Sequence, residues 1–430
     1  MVGLSDLTDS VAPVLTATRG AALYVGALLG PGLLLLPALA TQVAGPASVL
    51  AWAALMVVSA PIAATFAALA VRHPVSGGVA TYVEEAFGPT AGAVTGLWFV
   101  CCIVIGSPTV ALMGAYYVAD LTGAGPTAAA VIGFAIYACV LSANAFGLRV
   151  SSGVQLGLSA ALVLVIAVAV SLALPGHVTQ GWTPFAPHGW WAVGSAAGGL
   201  VWLVIGWEAM AQLAGDFRDP ARDVPRAVAW GFGIVTLLYV GVAVAAVVVP
   251  AAPSSKVPLA DLVGVGFGAV GRDASALLAL VLTMGGMNVY IGSGAKLAAA
   301  LAERGALPAW FAGGSVRSVP RRPLAVLALT GVAMYGPLLA GVVGAADIVL
   351  ATSANFVAVY LLTLAAARKM LSGAVRLAAT VALVLFCGVA PFLRWWVLLP
   401  LGVAAVAVVL LRGRLAPLPA AARTLPETAG

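Results

Sequence analysis

The chain has 430 residues, of which 63 % are hydrophobic and only 8 % charged, far below the roughly 25 % charged residues of an ordinary globular protein. Too few Asp, Glu, Lys and Arg exist to clothe a water-soluble fold of this size, and a mean hydropathy of +1.11 agrees. The net charge of +6 is too small to indicate nucleic-acid binding, so the composition predicts an all-α polytopic membrane protein.

In chain order, apolar segments long enough to cross a bilayer fall at 14–41, 47–70, 92–119, 126–145, 152–174, 192–214, 227–250, 274–299, 323–342, 345–367, 376–392 and 394–411. These twelve predicted spans leave connections too short to hold a separate soluble domain. The opening MVGLSDLTDS has two aspartates and no early basic residue. It does not read as a cleaved signal, and the first helix is expected to remain. With the N-terminus inside, only Lys256, Arg272 and Arg394 among the basic residues fall outside. The charge bias therefore predicts that both termini are cytoplasmic.

The first span is interrupted by Gly26-Ala27-Leu28-Leu29-Gly30-Pro31-Gly32. Pro31 lacks an N–H and disfavours helix at Gly30, and irregular backbone inside a bilayer is tolerable only against protein or a wet cavity. A helix restarting at Leu33 would present unpaired N–H groups to an anion such as a carboxylate. The competing reading is a simple proline kink with Gly26 and Gly30 packed against a neighbour.

The second span leads into Arg72-His73-Pro74-Val75-Ser76-Gly77-Gly78-Val79-Ala80, then a short amphipathic stretch ending at Gly88. A hinge and a plain re-entry turn fit this segment equally well. Span three carries Ser107 beside Pro108, and the fifth begins with Ser151, Ser152 and Gln155 after Arg149.

Span six contains Ile205-Gly206-Trp207-Glu208. Glu208 is an acidic residue within an apolar run, where a charge costs about 2.5–3.5 kcal/mol on insertion scales. Such a group requires a polar cavity or a partner, and Gly206 permits the helix to unwind beside it. Glu208 reads either as a functional group or as a structural carboxylate tying a broken helix to its neighbours. Between spans six and seven, Asp216-Phe217-Arg218-Asp219-Pro220-Ala221-Arg222-Asp223-Val224-Pro225-Arg226 balances its own charges. Span eight adds Thr283, Asn288 and Tyr290, and span ten adds Thr352, Ser353 and Asn355, as candidate cavity-lining groups.

Broken spans one and six, each opening a block of five, suggest two inverted five-helix repeats with a site at the midplane. The organisation expected is a ten-helix core at 12–367, with repeats at 12–174 and 192–367. Two peripheral spans at 376–411 and a cytoplasmic tail at 412–430 would follow. No HExxH or GxSxG pattern occurs, and Cys101, Cys102, Cys139 and Cys387 lack metal-ligand spacing. Neither an enzyme nor a bound cofactor or metal is expected.

Gly26 to Gly32 with the following Pro37-Ala38-Leu39, the Pro74 to Ala80 turn, Gly206-Trp207-Glu208-Ala209 and the Phe217 to Ala227 loop resemble the amino acid–polyamine–organocation transporter superfamily. The similarity is greatest to its bacterial branch of methionine and branched-chain amino acid exporters. The resemblance implies twelve helices with a five-plus-five inverted repeat and discontinuous helices 1 and 6, working by alternating access in the inner membrane. It also implies an amino acid whose carboxylate meets the first break and whose amino group meets carbonyls at the sixth. The expected substrate contacts are Gly26, Leu29, Gly30, Pro31, Gly32, Ile205, Gly206, Trp207, Glu208, Asn288 and Tyr290. Span five has no lysine after Arg149 such as some proton-coupled relatives carry, so the coupling ion stays open, with protons one candidate. Few charges are available for a basic or dicarboxylic side chain, and neutral, mostly apolar amino acids such as leucine, isoleucine, valine and methionine fit best. Efflux follows from the branch alone; import, exchange and a non-transporting sensor or partner role are the alternatives, and the sequence sets no oligomeric state.

Overall fold

The computed structural model describes residues 15–73, 78–148, 152–177, 181–208, 217–249, 255–316 and 319–411. Part of the Pro74 turn, Arg149 and Ser151, Ala209 with the following loop to Asp216, and the 412–430 tail lie outside the described residues, as do the side chains of Ser152 and Gln155.

The first expected span is built from α1 (Ala17–Leu28), a 3-10 turn (Pro31–Leu34) and α2 (Leu36–Ala44). The second is α3 (Ser48–Arg72), followed by a short connecting helix, α4 (Val79–Phe87). Then come α5 (Pro89–Thr122), α6 (Pro126–Ala145) and α7 (Ser152–His177). Span six consists of α8 (Trp191–Leu200), a 3-10 turn (Val201–Val204) and a turn reaching Glu208. The remainder are α9 (Pro220–Val248), α10 (Pro258–Glu303), α11 (Arg321–Leu339), α12 (Ala345–Met370), α13 (Gly373–Cys387) and α14 (Leu398–Leu411). A two-stranded hairpin pairs Ser315–Val316 with Val319–Pro320 ahead of α11.

Among the described residues, nine helices are long and apolar enough to cross a membrane. The expected spans outside that set are the first, sixth and eleventh, made of shorter pieces. Helix starts follow local chemistry. Pro89, Pro126, Pro220 and Pro258 occupy first turns, where a missing N–H costs nothing. Asp219 caps α9 by accepting the Arg222 N–H at 3.3 Å. Gly123, at φ +67, closes α5 in the left-handed conformation.

One element differs from expectation. The connection expected at 251–273 contains helix from Pro258, and Gly268, at φ +59, turns that helix into the eighth span. At the opposite end of α10, Arg304 pairs with the buried Glu84 of α4, and Lys369 from the end of α12 donates to the Ala86 carbonyl at 2.5 Å. These contacts lie on the arginine-rich face. On the other face Arg272 bonds Asp261 at 2.8 Å and Asp120 at 2.9 Å, while Gln42 reaches the Ser255 carbonyl at 3.1 Å. Among the described residues, contacts thus join α4 to the ends of α10 and α12, and the ends of α2 and α5 to the segment before and at the start of α10.

The main core surrounds the two interrupted spans. Tyr24, Trp207, Tyr239, Tyr360, Trp52 and Phe66 are among its largest fully buried side chains. α13 packs against α3 and α12, and α14 against α5.

Candidate functional site

The first break begins where Leu29, at φ −81 and ψ 62, leaves the helix while its N–H still bonds Val25 O at 2.9 Å. Gly30 is extended, and Pro31 then starts a 3-10 turn in which Leu33 N–H bonds Gly30 O at 3.2 Å. The α-helix resumes at Leu36 rather than at the expected Leu33. Pro31 and Pro37 each stand in the first turn of their segment, and the tight turn between them uses N–H groups that an immediate α-helical restart would leave free.

In the sixth span Ile205 is extended and Gly206 has φ +130, a backbone that side-chain-bearing residues rarely adopt. The reversal brings the Glu208 carboxylate back to accept the Gly206 N–H at 2.9 Å, and the same Oε2 accepts the hydroxyl of Tyr360 from α12. Glu208 therefore closes its own break and ties it to the tenth span. A membrane-embedded carboxylate with two donors avoids the cost of an unpaired one.

The two breaks touch. A Cβ at Gly206 would lie 3.1 Å from Leu28 Cδ2 and 3.2 Å from the Ala27 carbonyl oxygen, and one at Gly32 would lie 2.8 Å from Leu203 Cδ2. Tyr24 crosses from α1 to donate to the Trp207 carbonyl at 3.0 Å, and its ring meets the indole edge to face with centroids 5.1 Å apart. The Tyr239 hydroxyl of α9 stands 2.7 Å from Leu28 O and 3.0 Å from Leu203 O. Pro31 packs near Gly286 of α10, where an added Cβ would be 3.4 Å from Pro31 Cγ.

Of the residues expected at the site, Leu29, Pro31, Gly32, Ile205, Gly206, Trp207 and Glu208 lie at or beside this junction. A Cβ added to Gly30 would meet nothing within 4 Å, so this glycine borders open space. Gly26 instead backs onto Ser159 of α7, at 2.8 Å from an added Cβ to the hydroxyl oxygen. Tyr290 approaches from α10. Its buried hydroxyl has no hydrogen-bond partner among the described residues and lies 3.5 Å from the position of a Cβ on Gly106, which would also be 3.1 Å from the Trp202 ring and 3.2 Å from Thr352. Asn288 is directed elsewhere: its amide donates to Leu148 O at 3.2 Å, in the connection after α6.

Sequence reasoning overlooked Tyr24, Trp202, Tyr239 and Tyr360. The available signal was a phenol or indole well inside an apolar span, because a buried tyrosine hydroxyl needs a partner. A cavity of about 600 Å³ lies beside the first break, bordered by Leu33, Pro37, Gln42, Ile166, Val242 and Asp261. Among the described residues no three His, Cys, Asp or Glu side chains converge in a way that could hold a metal ion.

The family profile described as amino acid permease matches residues 15–410. The chain is 32 % identical over 364 residues to YecA of Bacillus subtilis (strain 168), named an uncharacterized amino acid permease, covering 83 % of this chain and 85 % of the relative. It is 29 % identical over 374 residues to the L-methionine/branched-chain amino acid exporter YjeH of Escherichia coli (strain K12), covering 84 % and 87 %. The serine/threonine exchanger SteT of Bacillus subtilis (strain 168) is 25 % identical over 303 residues, covering 66 % of this chain and 67 % of the relative.

Proposed function

The chain belongs to the amino acid permease family, and on that premise we propose that it carries neutral, mostly apolar L-amino acids across the plasma membrane by alternating access. Leucine, isoleucine, valine and methionine are the candidate substrates, and proton-coupled efflux is the direction favoured. The observation that carries this reading is the junction of the two breaks. Glu208 turns one oxygen, Oε2, to Gly206 and Tyr360, which holds the carboxylate in the turn of the sixth span. The surroundings are Leu28, Leu29, Leu203, Trp202 and Trp207, and matching an apolar side chain to such a wall requires no buried charge.

In this reading the substrate carboxylate meets the first break around Gly30, where there is open space, and the amino group meets carbonyl oxygens of the sixth. Trp202 and Tyr290 flank the side chain. Two five-helix repeats at 12–174 and 192–367 supply the two breaks, 376–411 braces them, and both termini face the cytoplasm. Efflux is supported by the exporter activity in the name of the Escherichia coli relative YjeH. The exchanger activity in the name of SteT supports a second reading, obligatory exchange of one amino acid for another.

Sealed vesicles containing the purified protein, loaded with each amino acid under separately imposed proton and sodium gradients, test both. Proton-stimulated movement of leucine or methionine without a counter-substrate supports coupled transport, and movement only against a second amino acid supports exchange. Calorimetry on solubilised protein tests the pocket: lysine or glutamate binding as tightly as leucine would reject an apolar site.

A further inference from the structure

The segment between α10 and α11 joins two helices long and apolar enough to cross the membrane, so it lies at the bilayer surface, on the arginine-rich face. It carries the half-exposed Trp310 on a 3-10 turn (Ala309–Ala312), and the hairpin that follows delivers Arg321 and Arg322 to the start of α11. Arg322 is seated rather than loose. Its Nη1 donates to Trp310 O at 3.0 Å, and its guanidinium carbon stands 5.5 Å from the centroid of the Trp310 ring. A Cβ on Gly313 would collide with the guanidinium, and one on Gly314, at φ +77, would lie 3.0 Å from Nε. The two glycines thus make room for a cation held against an indole.

Two further bases stand nearby. Arg321 is exposed, and Lys296 of α10, also exposed, borders a notch with Pro320 and Leu324. Among the described residues none of these cations pairs with a carboxylate, and the first turn of α11 contains no acid. A guanidinium has N–H groups on both edges, so Arg322 can bond Trp310 and still donate outward. The charge bias that orients a membrane protein is met by mobile side chains; it does not require a guanidinium fixed over a ring.

We propose that Lys296, Trp310, Arg321 and Arg322 form a binding site for the headgroup of an anionic phospholipid. The phosphate oxygens accept from the two arginines and the lysine, and the indole, with an apolar body and a polar tip, meets the boundary between headgroup and acyl chain. The inference needs the membrane-crossing fold but not the choice of transported substrate.

The test uses the full chain, delipidated in a neutral detergent, with Tm read as a probe is added. The probes are dioctanoylphosphatidylglycerol, dioctanoylphosphatidylcholine and inorganic phosphate. Binding to the folded state raises Tm, and phosphatidylglycerol is expected to do so at a concentration at least about tenfold below that needed of phosphatidylcholine. Phosphate at the headgroup concentration should leave Tm unchanged. Each base at a membrane surface contributes about fivefold in affinity, so Arg321→Gln/Arg322→Gln should need at least about tenfold more phosphatidylglycerol than the parent. Arg376→Gln removes an exposed base near the start of α13 instead, and should respond as the parent does.

No rise in Tm with phosphatidylglycerol, an equal response to phosphatidylcholine, or reproduction of the effect by phosphate alone overturns the proposal. So does an unaltered response in Arg321→Gln/Arg322→Gln, or an equal loss in Arg376→Gln. If the double variant does not fold, Arg321→Gln decides from its exposed position: about a fivefold loss supports the site, and a parent-like response overturns it.

Discussion

The carboxylate of Glu208 accepts the hydroxyl hydrogen of Tyr360, joining the turn of the sixth span to the tenth span across 152 positions of sequence. The same carboxylate oxygen accepts the Gly206 N–H at 2.9 Å. The carboxyl group thereby fastens the break of the sixth span to its neighbour, and replacements that keep or remove its acceptor oxygens have different expected consequences.

Glu208→Gln keeps an acceptor oxygen for Tyr360 and Gly206, so folded yield and Tm are expected to stay near those of the parent. If Glu208 titrates during the cycle, counterflow of leucine should persist while proton-driven transport falls at least about tenfold, the fall expected for loss of an acid–base group. Glu208→Leu should instead leave the Gly206 N–H unpaired and the Tyr360 hydroxyl with only the Val204 carbonyl at 3.2 Å, costing about 1–3 kcal/mol for the stranded group and lowering Tm. Vesicle assays across a pH series, with thermal melts of the same preparations, separate these outcomes. Parent-like activity and pH dependence in Glu208→Gln would reject a titrating role.

The spans and both breaks were legible because their signals are local. Apolar runs mark crossings, Gly30-Pro31 removes helical capacity at one point, and Gly206 beside Glu208 does so at another. The clamps were not legible. Tyr24 and Tyr239 lie on different spans and donate to backbone carbonyls, a group every residue has, so no side-chain pattern identifies their partners, and Tyr360 reaches Glu208 from a third span 152 positions away. Polar residues on a glycine-containing helix can face either of two neighbours, and packing turns the Asn288 amide toward Leu148. The helix from Pro258 was hidden within a connection because the turn that redirects it depends on the backbone of Gly268 alone.

Two glycines in the breaks are expected to respond in opposite ways. Gly206 has φ +130, and its added Cβ would crowd Leu28 and the Ala27 carbonyl, so Gly206→Ala should cost about 1–3 kcal/mol from backbone strain and reduce folded yield. Gly30 has φ −84 and open space around its added Cβ, so Gly30→Ala should fold like the parent. Gly30→Leu should also fold, but its side chain would enter the space assigned to the substrate carboxylate and weaken leucine binding. Size-exclusion yield and calorimetry on the same samples check the contrast. Well-folded Gly30→Leu with unchanged affinity would move the carboxylate site elsewhere.

The ion pairs on the two faces differ in burial, and burial sets the expected cost of breaking them. Glu84 has a side chain only 7 % exposed and Arg304 one 25 % exposed. Removing Glu84 therefore leaves a largely buried guanidinium without its carboxylate. The usual penalty for breaking a buried pair is about 3–5 kcal/mol; partial exposure of Arg304 lowers the expectation for Glu84→Ala to roughly 2–3 kcal/mol. Asp120 and Arg272 are 37 % and 38 % exposed, and Arg272 retains Asp261 at 2.8 Å when Asp120 is lost. Water and the second carboxylate both compensate, so Asp120→Ala should cost at most about 1 kcal/mol. Denaturant or thermal unfolding in a single detergent, with the double variant Glu84→Ala/Arg304→Ala included, measures the difference. The double variant should be less impaired than the sum of its singles, because neither charge is then stranded. Raising salt should diminish the small Asp120 effect while leaving most of the Glu84 effect, since screening acts mainly on exposed charges. Equal losses from Glu84→Ala and Asp120→Ala would show that α4 is not fastened through its buried carboxylate.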